Sequence, residues 1–141
     1  MGDMVNLHGG MILYFWVFIG AGLGGVIRFA LSGFAEQHLG GGFPWGTLAV
    51  NVTGSFVIGF FAAVTAPEGK FFASATARQF VMAGVLGGYT TYSAFSLQTL
   101  QLARNGQWLC AAANTGGTVV LCFAAVWLGH ICALALGGPR A

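Results

Sequence analysis

Eight of the 141 residues carry a fixed charge, five of them Lys or Arg and three Asp or Glu. They leave four windows, 4–27, 37–67, 79–103 and 105–139, with no charge at all. A helix crossing the ~30 Å hydrocarbon core of a bilayer needs about 20 apolar residues. Each window has room for one such helix, and none for two with a turn between. With 57% hydrophobic and 6% charged residues, the chain has no material for the polar skin of a soluble globule. Its 14% aromatic content excludes a disordered chain, and a net charge of +2 gives no basic patch for nucleic acid. The expected fold is an all-α membrane protein, one domain over 1–141, with four transmembrane helices near 11–34, 45–65, 72–102 and 107–136.

Turn chemistry joins these helices. Gly40-Gly41-Gly42-Phe43-Pro44, Ala66-Pro67-Glu68-Gly69-Lys70 and Arg104-Asn105-Gly106 form the connectors. Trp45 and Trp108 stand at helix ends, where an amphipathic ring prefers the headgroup level. The first charge is Asp3, the wrong sign for a secretory leader, so the first helix is expected to be retained. Cys110, Cys122 and Cys132 all fall in the last helix with no CxxC pair, which suits packing better than disulfides. Four crossings put Lys70, Arg78 and Arg140 on one side and Arg28 and Arg104 on the other. Such an even distribution gives the positive-inside rule little to act on. Insertion in both orientations, and pairing of opposed copies as an antiparallel homodimer, is the expectation.

Polar groups recur inside the apolar windows. Thr47, Asn51 and Ser55 follow an i, i+4, i+8 spacing and share one helix face, as do Asn114, Thr118 and Cys122. A single Ser or Thr satisfies itself on its own backbone or serves close packing. Asn51 brings an amide whose donors and acceptor are costly to orphan in lipid, which points to a solvated track. No carboxylate lies in any window; Glu36 and Glu68 are in connectors. Proton-coupled cation exporters depend on a membrane-embedded acid. Amide and hydroxyl donors suit an anion instead, with Arg28 as a cation at the vestibule or as an anchor to headgroups.

In the third window, Gly87-Gly88 weakens the helix by about 1 kcal/mol per glycine. Unwound backbone at that depth survives when buried in protein or lining a wet cavity, and its freed carbonyls are hard ligands for a cation. Tyr92 and Phe95 follow at i and i+3, on one face. They read either as core packing or as rings offering their positive edges to an anion. Gly20 and Gly24 have the GxxxG spacing of close helix packing rather than of a phosphate loop, since no βαβ context surrounds them. The scattered His8, His38 and His130 have no metal-ligand spacing, and nothing groups as a catalytic triad.

Three segments carry a family resemblance over nearly the whole chain: Gly24-Gly25-Val26-Ile27-Arg28, Pro44-Trp45-Gly46-Thr47-Leu48-Ala49-Val50-Asn51, and Gly87-Gly88-Tyr89-Thr90-Thr91-Tyr92-Ser93-Ala94-Phe95-Ser96. In this order the chain resembles the Fluc/CrcB family of fluoride channels. The resemblance implies an antiparallel homodimer with two fluoride pores in the cell inner membrane, passively exporting fluoride. It implies pore groups at Asn51, Tyr92, Phe95, Thr47, Thr118 and Cys122. It also implies a structural, non-transported sodium ion (Na+) held by the backbone carbonyls of Gly87 and Thr90. Against the family pattern, Tyr92 replaces a Phe, Ala94 a Thr, Gln98 an acid, Asn114 a Tyr and Cys122 a hydroxyl. The alternatives are a small dual-topology multidrug exporter, which lacks its acid here, and a packing subunit with no use for the polar stripes. No enzymatic activity is expected.

Overall fold

The structure, a computed structural model, describes residues 2–66, 71 and 73–137, with side chains from residue 10 onward. All regular elements among these residues are helical. Helix α1 covers Gly2–Leu39, α2 Trp45–Val64, α3 Ala75–Gln79, a π-helical segment Phe80–Leu86, α4 Gly87–Tyr89, α5 Tyr92–Arg104 and α6 Trp108–Ala135. Three helices are long and apolar enough to cross a bilayer: Gly10–Leu39 within α1, α2, and α6. The window expected to hold a third helix over 72–102, broken near its middle at Gly87-Gly88, is divided into α3, the π segment, α4 and α5. Thr90 and Thr91 are both extended, with ψ of 157° and 116°, so the helical ladder stops at Tyr89 and restarts at Tyr92. The expected start at Phe72, most of the second connector (67–70) and Arg140 lie outside the described residues.

Glycines mark the helix ends where the chain needs positive φ. Helix α1 runs past the expected end at residue 34, because 35–39 contains good helix formers and the left-handed glycine comes only at Gly40 (φ 82°). Gly40 closes α1 by donating its N–H to the Glu36 carbonyl at 3.2 Å. Helix α5 ends in a Schellman arrangement about Gly106 (φ 76°). There Gly106 donates to the Ala103 carbonyl at 3.0 Å and Gln107 to that of Leu102 at 2.9 Å. At the far end of α2, the Arg78 guanidinium donates to the carbonyls of Thr65 and Ala62 and to the Thr65 hydroxyl, satisfying groups that the helix end leaves open.

Small residues bring the helices together. Helix α6 crosses α2 where Gly59 meets the Val126 backbone and Gly129 meets that of Phe56; a Cβ added at either would lie 2.2 or 2.1 Å from a carbonyl oxygen. Helix α1 packs on the π segment and α4 in the same manner. A Cβ at Gly24 would lie 2.0 Å from the Val85 carbonyl oxygen, and one at Gly20 would lie 2.8 Å from that of Phe80. The packing role read from their spacing is the one they have. In a bilayer lipid tails are as apolar as side chains, so this close van der Waals contact is what holds helices together. The outward face is strongly apolar, with Tyr14, Phe18, Phe29, Phe123 and Trp127 all exposed.

The Gly24 contact yields a controlled test. Gly24→Ala is expected to destabilise the fold by about 1–3 kcal/mol through overpacking, lowering the thermal midpoint in detergent. Gly22→Ala, whose Cβ would meet nothing within 4 Å, is expected to leave it unchanged.

Candidate functional site

The interruption at Thr90-Thr91 is held from α2. The Asn51 carboxamide grips the Thr91 peptide at both ends: Nδ2 donates to the Thr91 carbonyl at 3.0 Å, and the Thr91 N–H donates to Oδ1 at 2.8 Å. Thr91 in turn N-caps α5, its hydroxyl accepting from the Ala94 N–H at 3.2 Å. The Tyr89 and Thr53 hydroxyls hydrogen-bond at 2.8 Å, tying α4 to α2 once more. Gly54 makes room for this seat, since a Cβ there would lie 2.4 Å from Thr90 Cγ2.

These contacts redirect backbone groups. In an unbroken helix the Thr91 N–H would pair with the Gly87 carbonyl and the Ala94 N–H with that of Thr90. Asn51 Oδ1 takes the first N–H and Thr91 Oγ1 the second. Arg28, half-buried on α1, donates Nε to the intervening Gly88 carbonyl at 3.1 Å. The carbonyls of Gly87, Gly88, Tyr89 and Thr90 therefore all lose their helical partners at the interruption, and of these Gly88 is taken by Arg28. Gly87 and Thr90 border the cleft described next.

A cleft of about 360 Å³ opens between α2, the interruption, α5 and α6. Asn51 and Ser55 line it from α2, Thr118 and Cys122 from α6, and Tyr92 and Phe95 from α5, with Met82 and Leu86 on the π segment. None of the described residues that line it is charged. Phe95 is 6% exposed, whereas Tyr92, at 79%, forms an open rim. The two ring centroids are 5.4 Å apart and the planes meet at 51°. Of the residues singled out in the sequence, Asn51, Tyr92, Phe95, Thr118, Cys122, Gly87 and Thr90 thus meet at one cleft. Thr47 is buried one turn from Asn51 without lining the cleft, and Arg28 faces Gly88 instead.

Behind the cleft wall lies a polar relay of which spacing marked Asn114 and Thr118 but not Thr99. Asn114 is 1% exposed, its Nδ2 donating to Thr99 Oγ1 at 2.8 Å and its Oδ1 facing Thr118 Oγ1 at 3.5 Å. The i, i+4 stripe that contains Asn114 was the available signal, but Thr99 comes from another helix. Thr91 was hidden similarly, because its role depends on Asn51, 40 positions away.

An all-helical, multi-pass membrane protein with an uncharged, donor-bearing cleft beside a helix interruption is the class these features define. A family model described as CrcB-like protein, Camphor Resistance (CrcB), matches residues 15–130. The chain belongs to this CrcB family. A protein named fluoride-specific ion channel FluC from Opitutus terrae is 61% identical over 130 residues, covering 92% of this chain and 98% of its own. Proteins of the same name from Methylocella silvestris and Rhodospirillum rubrum are 52% and 53% identical, over 87% and 84% of this chain and 94% and 92% of theirs.

The two-ended grip on Thr91 gives the site its own test. Asn51→Leu orphans both Thr91 backbone groups, each costing about 1–3 kcal/mol if buried. Amide hydrogen exchange across 88–95 is expected to accelerate roughly tenfold or more.

Proposed function

We propose that this protein is a fluoride-selective anion channel that passively exports fluoride across the cell inner membrane. Its CrcB membership and its relatives' names as fluoride-specific ion channels support this reading. The observation that carries it is the cleft: an amide, four Ser and Thr hydroxyls and a thiol beside three aromatic rings, with no charge among the described lining residues. Fluoride is small and strongly hydrated, so a pore must offer donors at close range in place of water. Asn51 has a second Nδ2 proton beyond the one bonded to Thr91, and Ser55, Thr118 and Cys122 add further donors. The positive ring edges of Phe95 and Tyr92 suit an anion where water is scarce. Thr47 continues the polar face of α2 from Asn51, and Arg28 contributes a fixed positive charge beside the interruption. The function is transport, without catalysis.

In this proposal residues 1–141 form one four-helix transmembrane domain, with 75–104 as the third crossing, broken at Thr90-Thr91. Two copies associate antiparallel, giving two pores. The even split of Lys and Arg, the exposed rings and the open Tyr92 rim support a second copy against this face. A structural sodium ion at the dimer axis would be held by the carbonyls of Gly87 and Thr90. The fit rests on the diversion of their helical N–H partners to Asn51 and Thr91. Such an ion supplies charge that compensates carbonyls left open.

Reconstitution in liposomes tests the function. Fluoride efflux, read with an ion-selective electrode, is expected to far exceed chloride efflux; equal rates or none would overturn the assignment. Asn51→Asp puts a carboxylate beside the anion. Like charges about 4 Å apart at an effective dielectric near 20 repel by roughly 4 kcal/mol, so the flux is expected to fall about a thousandfold. Replacing sodium with a large organic cation is expected to weaken dimer assembly or flux, measured by size-exclusion chromatography and the same electrode.

A further inference from the structure

Six of the fourteen Ser and Thr hydroxyls among the described residues are bonded back to their own helix. Thr53, Thr65, Thr90, Ser96, Thr99 and Thr115 each donate to the carbonyl four residues earlier, at 2.6–3.0 Å. A hydroxyl bonded this way has its only proton committed to its own helix. Thr118 is bonded differently. It is buried, lines the cleft, and donates to the Asn114 side chain instead, at 3.5 Å.

The orientation of the Asn114 amide follows from the proton count. Thr99 donates its hydroxyl proton to the Phe95 carbonyl at 2.8 Å, so toward Asn114 it can only accept. The Asn114 group facing Thr99 is therefore the NH2, and the group facing Thr118 is the carbonyl oxygen. Thr118 must be the donor in that contact. At 3.5 Å the bond is long for an O–H donor, whose usual distance is about 2.7–2.8 Å.

We infer that Asn114 is a positioning residue: it draws the Thr118 hydroxyl away from the helix backbone and keeps its proton on a weak, easily surrendered bond, available to an anion in the cleft. The residue acts through Thr118 and does not itself line the cleft. A hydroxyl in the ordinary back-bonded state would have to break a good hydrogen bond before meeting the ion. Thr118 has little to give up. The inference rests on the fluoride-channel reading and names a specific device within it.

The test is a double-mutant cycle on the half-saturating fluoride concentration for efflux from liposomes, with maximal flux and chromatographic dimer content recorded alongside. Asn114→Leu keeps the volume and lets Thr118 return to the carbonyl four residues back. Half-saturation is expected to rise about tenfold, the size of one hydrogen bond to an ion. Thr118→Val is expected to do the same, and the double variant to be no worse than either single one. Additive effects, or unchanged half-saturation in Asn114→Leu, would overturn the inference. If Asn114→Leu does not assemble, Thr99→Val asks the same question from α5, since an amide freed from Thr99 can turn its NH2 toward Thr118. A rise of several fold is expected there, and no rise counts against the inference. Absence of fluoride flux in the unmodified protein would defeat the channel reading itself, a result separable from all of these.

Discussion

The carboxamide of Asn51 clasping the peptide of Thr91 is the interaction on which the site depends. A polypeptide that leaves the helical ladder at membrane depth exposes N–H and C=O groups with no water to receive them. Asn51 supplies an acceptor and a donor in one rigid plane, matching the N–H and carbonyl of a single residue. Hydroxyls cannot do this as well, because each offers only one proton. Because the Thr91 N–H is held by Asn51, the Gly87 carbonyl loses its helical partner. Because Thr91 is extended, its hydroxyl can cap α5 and aim Tyr92 and Phe95 along the cleft.

The clasp works only if α2, α1 and the interrupted segment come close. Hydrophobic burial cannot drive that in lipid, where apolar side chains lose nothing by facing outward. Close contact takes its place, and at eight glycines an added Cβ would lie within 3.1 Å of a neighbouring atom. Gly24 lies against the Val85 carbonyl, Gly88 against Ala21, Gly54 against Thr90, and Gly59 and Gly129 join α2 to α6. Side chains at these points would push the helices apart and open the seat of Thr90 and Thr91. The large apolar residues are left on the outside, the reverse of a soluble globule.

Polar groups divide between those that hold and those that remain available. Asn51, Arg28 and Arg78 each bridge separate stretches of chain to backbone carbonyls that would otherwise be open. Their amide and guanidinium groups are mainly structural in the observed geometry. Ser55, Thr118, Cys122 and the ring of Phe95 border the cleft. Thr118 belongs to both sets, because Asn114 ties it only loosely.

Composition and charge spacing determined the all-helical membrane character and, for α2 and α6, spans close to their expected bounds, while i to i+4 spacing marked their polar faces. These were legible because the physics behind them is local: length in apolar residues, i to i+4 spacing, glycine at helix ends. The family resemblance supplied the rest of the expected cleft residues. The Gly87-Gly88 pair marked the region of weakness, but the extended residues are Thr90 and Thr91, downstream of it. Only the tertiary structure decided that displacement, because the clasp comes from a residue 40 positions away. It likewise decided that Arg28 meets Gly88 and that Asn114 joins Thr99 to Thr118. Periodicity reports which face of a helix a residue occupies; which proton goes to which acceptor is settled only when another helix arrives at that face.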